Sequence, residues 1–300
     1  MATDWSVRAV LDQPERQDEL QENIQAALDR VVTEMSQWEP DSDLSRFNRA
    51  LAGSWQTLPP GFAAVIDEAL AVAELTDGAF DPTLGELSEL WGFGVAQIGQ
   101  LPSDTEVAGA SAAAGWQRLA FDREAARLRQ PGGVRLDLSA IAKGFGADRV
   151  AASLLDAGVS SFLIEVGGEL VGRGIKPDGQ PWWVALEDPP EAALPPLRLA
   201  LCNHAVATSG NYRRYHRIDG ERIGHSIDPA SGRLLANRIV SVSVLAETAM
   251  RADALATALT VLGDAAGSFA ARYGIAARIL RQVDNGFAEE ITPALARMLD

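Results

Sequence analysis

Val240-Ser241-Val242-Ser243-Val244, followed by Arg251-Ala252-Asp253-Ala254-Leu255-Ala256-Thr257-Ala258, is the stretch that decides the fold. The first part alternates with a period of two, which predicts a strand with one buried and one wetter face. The second is a helix of Ala and Leu on which Asp253 and Thr257, one turn apart, share a face. A carboxylate stacked under a hydroxyl is poor material for an apolar core and good ligand geometry for a hard cation. Just upstream stand Ala207-Thr208-Ser209-Gly210-Asn211-Tyr212, a hairpin turn at Asp219-Gly220, and the loop Gly224-His225-Ser226-Ile227-Asp228-Pro229-Ala230-Ser231-Gly232.

Outward from this stretch, strand and helix periods alternate along the chain. Residues 5–11 alternate weakly, as a first strand would. Leu20, Ile24, Leu28, Val31, Met35 and Trp38 recur at helical spacing and predict an amphipathic helix that stops near Glu39-Pro40. Ser42 suits the N-cap of a short helix. Pro59-Pro60 opens another helix, with Phe62, Val65, Ile66, Ala69 and Val72 on one stripe and an end at Asp77-Gly78. Gly92-Phe93-Gly94 suits either close approach of backbone to a flat ligand or a plain helix C-cap. Residues 95–115, rich in Ala, Ser and Gly without a strong period, read as a surface excursion.

Residues 116–121 and 127–130 read as a hairpin, after which a strand over 134–138 runs into a helix through Asp137-Leu138-Ser139-Ala140-Ile141-Ala142-Lys143-Gly144-Phe145-Gly146. An acid at the strand end, a cap-competent Ser139 and glycines in the first helical turns suit a phosphate or ribityl group. Lys143 stands either to meet that phosphate or to solvate the helix start. In a plain connection, Gly144 and Gly146 would each weaken the helix by about 1 kcal/mol relative to Ala. Strands follow over 162–166, 182–186, 197–201 and 275–280, with helices from about Asp264 and after Pro293. The pattern is α+β: a large, mainly antiparallel sheet with packed helices.

With 300 residues, 47% of them hydrophobic, the chain has ample length to bury a core. A formal charge of −15 argues against nucleic acid or an anionic membrane as the main partner. The single cysteine, Cys202, excludes an intrachain disulfide framework and a multi-cysteine metal site, and its strand-like setting predicts a buried thiol. No run of about 18 apolar residues stands out, so no membrane span is expected. The first residues lack a basic segment followed by an apolar one, which gives a cytoplasmic expectation as sequenced, or a periplasmic one if a leader has been omitted.

Four separated blocks together resemble the FAD:protein FMN transferases, the ApbE-type flavin transferases. They are Asp41-Ser-Asp-Leu-Ser-Arg-Phe-Asn48; Gly78-Ala-Phe-Asp-Pro-Thr83 with Leu90-Trp-Gly-Phe-Gly94; Leu136-Asp-Leu-Ser-Ala-Ile-Ala-Lys-Gly144 with Val166-Gly-Gly-Glu169; and the opening stretch with Thr208-Ser-Gly210, the loop 225–232 and Ala252-Asp-Ala-Leu-Ala-Thr257. They span almost the whole chain in the family's order, so the resemblance implies a single domain over 1–300. It departs from the family's pattern at Trp38, Ser226 and Ser231, where Tyr, Ile and Thr are common.

The resemblance implies an enzyme that takes FAD as substrate with Mg²⁺, splits its pyrophosphate, joins FMN to a Thr or Ser hydroxyl of an acceptor flavoprotein and releases AMP. By matching positions, Asp253, Thr257 and the Ala140 carbonyl would hold the metal. Met1, Trp38, Ala79, Phe80, Asp81 and Asp137 would contact FAD, and His225 would deprotonate the acceptor hydroxyl. The chemistry suits such groups: attack on a pyrophosphate builds charge on oxygens that are already negative, and an acidic chain has no lysine patch to offset it. Two other readings stay open, an FAD pyrophosphatase in which water replaces the acceptor hydroxyl, and a non-catalytic flavin-binding protein.

Overall fold

The alternation at 240–244 becomes the fifth strand of a seven-stranded antiparallel sheet in the computed structural model, which describes residues 3–95, 101–190, 192, 194–211, 215–218, 221–284 and 286–299. The chain runs β1 (Trp5–Ala9), α1 (Gln17–Met35), α2 (Asp43–Asn48), β2 (Trp55–Thr57), α3 (Pro60–Leu75), α4 (Gly85–Leu90) and α5 (Asp104–Ala113). Next come β3 (Ala120–Asp122), β4 (Arg127–Arg129), α6 (Ala142–Asp156), β5 (Phe162–Val166), β6 (Glu169–Arg173), β7 (Trp182–Ala185), β8 (Arg198–Leu201) and β9 (His204–Gly210). The rest is β10 (Tyr215–Ile218), β11 (Glu221–Gly224), β12 (Ile239–Ala246), α7 (Ala249–Leu262), α8 (Ala266–Tyr273), β13 (Ala276–Val283), β14 (Gly286–Ile291) and α9 (Pro293–Leu299). Two compact units result, one from Met1–Asp29, Lys143–Arg213 and Asn237–Asp300, the other from Arg30–Ala142 and Arg214–Ala236.

The first unit is built on the sheet β1-β5-β6-β9-β12-β13-β14. Phe162, Ile164, Val166, Val171 and Ala205 turn one face toward Leu20, Ile24 and Leu28 of α1 and Ala147, Val150 and Leu154 of α6. Val206, Leu245 and Ala276 turn the other face toward Val184, Leu186, Leu199 and Leu201 of the β7–β8 hairpin and Leu295 of α9. β12 is therefore covered on both sides, and the expectation of one wetter face fails: Ser241 and Ser243 are 2% and 4% exposed. Cys202 departs from expectation in the opposite sense. It is exposed, because it stands beside Asn203, whose φ of 59° turns the chain from β8 into β9.

The helical stretch Ala249–Tyr273 contains an 18-residue window of mean hydropathy 1.4 and is long and apolar enough to cross a membrane by length and composition. In this fold it is core: residues 252–256 and 258–260 of α7 are buried, and a 3₁₀ turn at Gly263–Ala265 interrupts the stretch.

In the second unit, α3 buries Phe62, Val65, Ile66, Ala69 and Val72 as its stripe requires, beside a small sheet of order β2-β4-β3. Ser42 caps α2 by accepting from the Ser45 N–H at 3.0 Å. The region expected to be a surface excursion contains α5, which a Ser103–Glu106 capping box starts and which packs Val107 and Ala110 against Leu87, Trp91, Phe93 and Ile227. Residues 134–138 are not a strand. Arg135 makes one bridge to Leu84, while the side-chain amide of Asn48 takes the place of a strand neighbour, accepting from the Leu136 N–H at 2.8 Å and donating to its carbonyl at 3.0 Å. Asp219-Gly220, read as the turn between β10 and β11, lies outside the described residues. α1 stops at Met35, so Trp38 leaves the helical stripe and is 42% exposed.

Candidate active site

In the first unit, polar chemistry gathers where the starts of α6 and α7 meet. Thr248 caps α7 by accepting from the Arg251 N–H, and the Asp148 carboxylate accepts from the N–H groups of Ala249 and Met250, each at 2.9 Å. Gly144 permits the approach: a Cβ there would lie 2.2 Å from the Ala249 carbonyl oxygen. Close packing thus explains this glycine, where the sequence had favoured a ligand. The same residue's N–H donates to Asp253 Oδ2 at 3.1 Å.

Asp253, 4% exposed, receives little else from the protein. Lys143 Nζ stands 3.9 Å from its Oδ1 and forms its closer ion pair with Glu169 Oε1. Glu169 enters from the start of β6, aimed by the turn Gly167-Gly168, whose φ angles of 62° and 102° suit glycine. It is 1% exposed, and its Oε2 has no hydrogen-bond partner among the described residues. Burial, and next the Asp253 charge, push the Glu169 carboxyl up to about 7, against the pull of Lys143. Burial also raises Asp253, opposed by Lys143 and the Gly144 N–H.

Thr257, one turn along α7, is half-buried, and its Oγ1 lies 3.0 Å from Ser209 Oγ of β9. On the other face of that strand, Thr208 hydrogen-bonds Ser243 at 2.8 Å. Among the described residues no group of three or more His, Cys, Asp and Glu gathers in a metal-holding arrangement. A buried carboxylate with one N–H donor, a half-open hydroxyl beside it and an unpartnered carboxylate oxygen nearby nonetheless fit a hard, oxygen-seeking cation such as Mg²⁺. Glu169, Ser209 and Asp148 were not singled out from the sequence, since their partners lie on other elements. The Gly-Gly before Glu169 and the Thr-Ser-Gly around Ser209 were the available signals.

In the second unit the remaining residues hold distinct places. Asp81 uses both carboxylate oxygens: Oδ1 accepts from the Thr83 N–H at 2.8 Å and from its hydroxyl, and Oδ2 from the Trp116 N–H at 3.1 Å. Burial raises its pKa against those bonds. Phe80 is buried and Ala79 half-buried. Asp137 Oδ1 accepts from the Ser139 N–H at 2.9 Å, the Ser139 hydroxyl accepts from Gln37 at 3.1 Å, and Ala140 sits half-buried in the turn leading to α6. Ser139 is thus held within the turn, and the helix starts at Ala142. His225 meets Phe93 edge-on, with ring centroids 6.0 Å apart. The loop after it is fixed by Asp228, which accepts from the Ala230 N–H and the Ser231 hydroxyl, and by Trp91, whose indole donates to the Gly232 carbonyl at 2.8 Å. A cavity of about 640 Å³ beside Asn48, Leu90, Ala110 and Arg135 is lined by none of the candidate site residues. Met1 lies outside the described residues.

Comparison with known proteins meets this geometry. The ApbE family model matches residues 1–279. The FAD:protein FMN transferase of Salmonella typhimurium is 35% identical over 305 residues, taking in 100% of this chain and 87% of that protein. That of Vibrio cholerae is 37% identical over 295 residues, 96% of this chain and 87% of the relative. The solved structure of the flavin transferase ApbE from Vibrio cholerae superposes with a TM-score of 0.91 at 34% identity, covering 99% of this chain and 96% of that one. The α+β architecture expected from sequence is the one these relatives share. The chain belongs to the ApbE family of enzymes.

Proposed function

We propose that this enzyme transfers FMN from FAD to a Thr or Ser hydroxyl of an acceptor flavoprotein. The hydroxyl oxygen bonds to the phosphorus on the flavin side, the bond to the bridging oxygen breaks, and AMP leaves with that oxygen. His225 takes the hydroxyl proton, since imidazole is the side-chain type suited to both accepting and releasing a proton at neutral pH. Trp38 presents an exposed indole to the flavin ring, and Met1, Ala79, Phe80, Asp81 and Asp137 form the rest of the FAD contacts. Lys143 holds the charges of Glu169 and Asp253 in check within the first unit. Mg²⁺ held by Asp253, Thr257 and the Ala140 carbonyl would offset the charge that builds on the phosphate oxygens.

The observation that carries this reading is Asp253: a buried carboxylate with one N–H donor among the described residues, on a helix built mainly of Ala and Leu and one turn from the half-open Thr257 hydroxyl, in a chain whose relatives are named FAD:protein FMN transferases. The test is incubation with FAD, Mg²⁺ and a Thr-containing flavoprotein fragment, with AMP measured and the protein run on a denaturing gel. Covalent flavin fluorescence on the fragment, with equimolar AMP, is expected. Free FMN and AMP with an unlabelled fragment would replace the proposal by a pyrophosphatase, and neither product by a flavin-binding protein.

A further inference from the structure

The geometry points to Ser209 as a positioning residue that fixes the direction of the Thr257 hydroxyl so that its lone pairs face a divalent cation. This rests on the cation reading of Asp253 and Thr257 given above. Ser209 Oγ and Thr257 Oγ1 are 3.0 Å apart, and with two hydroxyls either one can donate. A threonine hydroxyl that binds a cation must offer a lone pair, and the positive charge drives its proton to the far side. That proton then needs an acceptor, which the Ser209 oxygen supplies.

Ser209 is well placed for the task. In the register of β9 against β12 it stands opposite Val242, on the sheet face that α7 covers, whereas Thr208 and Ser243 stand opposite each other on the reverse face. The hydrogen bond between Thr208 and the buried Ser243 ties the two strands together behind Ser209. Thr257 itself comes from a helix whose start is fixed by Thr248 and Asp148. Both hydroxyls are therefore carried on regular elements, and their separation is set by backbone. A partner that orients a ligand in this way commonly changes metal affinity by about 10- to 100-fold.

The test is binding of Mn²⁺ alone, followed by electron paramagnetic resonance, and of Mg²⁺ alone by calorimetry, on the full chain without FAD. Ser209→Ala is expected to weaken both about 10-fold or more, while the melting temperature of the metal-free protein stays near that of the parent. Ser209→Thr, which keeps a hydroxyl, should recover most of the affinity. In a double-mutant cycle Ser209→Ala should add nothing to Thr257→Val, because the hydroxyl it orients is gone. Parent-like affinity in Ser209→Ala, alongside a loss in Thr257→Val, overturns the role of Ser209 and leaves the cation site standing. A parent protein that binds neither ion, or an Asp253→Ala variant that binds as well as the parent, overturns the cation site itself and this inference with it.

Discussion

Asp253 and Asp81 are both carboxylates driven up in pKa by burial, yet the protein treats them in opposite ways. Asp81 has its two oxygens filled by the Thr83 N–H and hydroxyl and by the Trp116 N–H. Among the described residues Asp253 has one N–H donor, from Gly144, and an ammonium at 3.9 Å that belongs more closely to Glu169. Desolvation alone therefore does not mark a working acid. What separates the two is how many of their lone pairs the fold itself satisfies: a filled carboxylate pins the chain, and an unfilled one is left for a ligand.

The largest expected effect falls on Asp253. Asp253→Ala should lower flavin transfer by about 10³-fold or more, about 4 kcal/mol of transition-state stabilisation, while the metal-free protein melts no lower than the parent. A melting temperature well below the parent's would make Asp253 a second Asp81 and erase the contrast. Next in size is Gly144→Ala. Its Cβ would meet the Ala249 carbonyl at 2.2 Å, so α6 and α7 must part, at a cost of about 3 kcal/mol read from the urea midpoint. Asp81→Ala should follow at about 2 kcal/mol, because the N–H groups of Thr83 and Trp116 lose their acceptor. Removing this proposed FAD contact should also raise the KM for FAD, while kcat per folded molecule falls far less than at Asp253.

The sequence was readable where one element carries its own evidence. The α3 stripe, β5, the Ser42 cap and the helix that carries Asp253 and Thr257 each lie within a single period, and each forms as expected. Reading failed where a second element decides the outcome. Ser241 and Ser243 look like a wet face until the β7–β8 hairpin and α9 cover it. Residues 134–138 look like a strand until Asn48, at the end of α2, takes both backbone hydrogen bonds of Leu136 in place of a neighbouring strand. Gly144 looked like a ligand-binding glycine because its neighbour Ala249 lies far along the chain. α5 was legible and missed: Ser103-Asp104-Thr105-Glu106 is a capping box, overlooked because the Ala and Gly that follow give no amphipathic period. In the site, Glu169 and Ser209 stand in the blocks that carry the resemblance but show no role from sequence, for the same reason as the covered face, since their meaning lies in partners brought by other elements.

The smallest expected effect is on pH dependence, and it extends the contrast to two glutamates of opposite sign. Glu169, buried with one oxygen that has no hydrogen-bond partner among the described residues, has its carboxyl pushed up to about 7 in the folded protein, from 4.5 as the ordinary value. The folded state then holds a proton that the unfolded chain has released, so its contribution is full below pH 4.5 and is lost as pH rises toward 7. Glu106, exposed in the α5 capping box, is held below its ordinary value by the Ser103 hydroxyl and N–H. The unfolded chain takes up a proton there first, so that contribution is present above pH 4.5 and is lost as pH falls below it. Melting temperatures of the metal-free protein in matched buffers should show both limbs. Glu169→Gln should flatten the decline between pH 4.5 and 7 and leave the acid limb unchanged, whereas Ser103→Ala should soften the acid limb alone. If Glu169→Gln left the upper limb as steep as in the parent, Glu169 would be paired well enough to ionise freely, and the idea that this cluster is left unsatisfied for a ligand would lose its thermodynamic support.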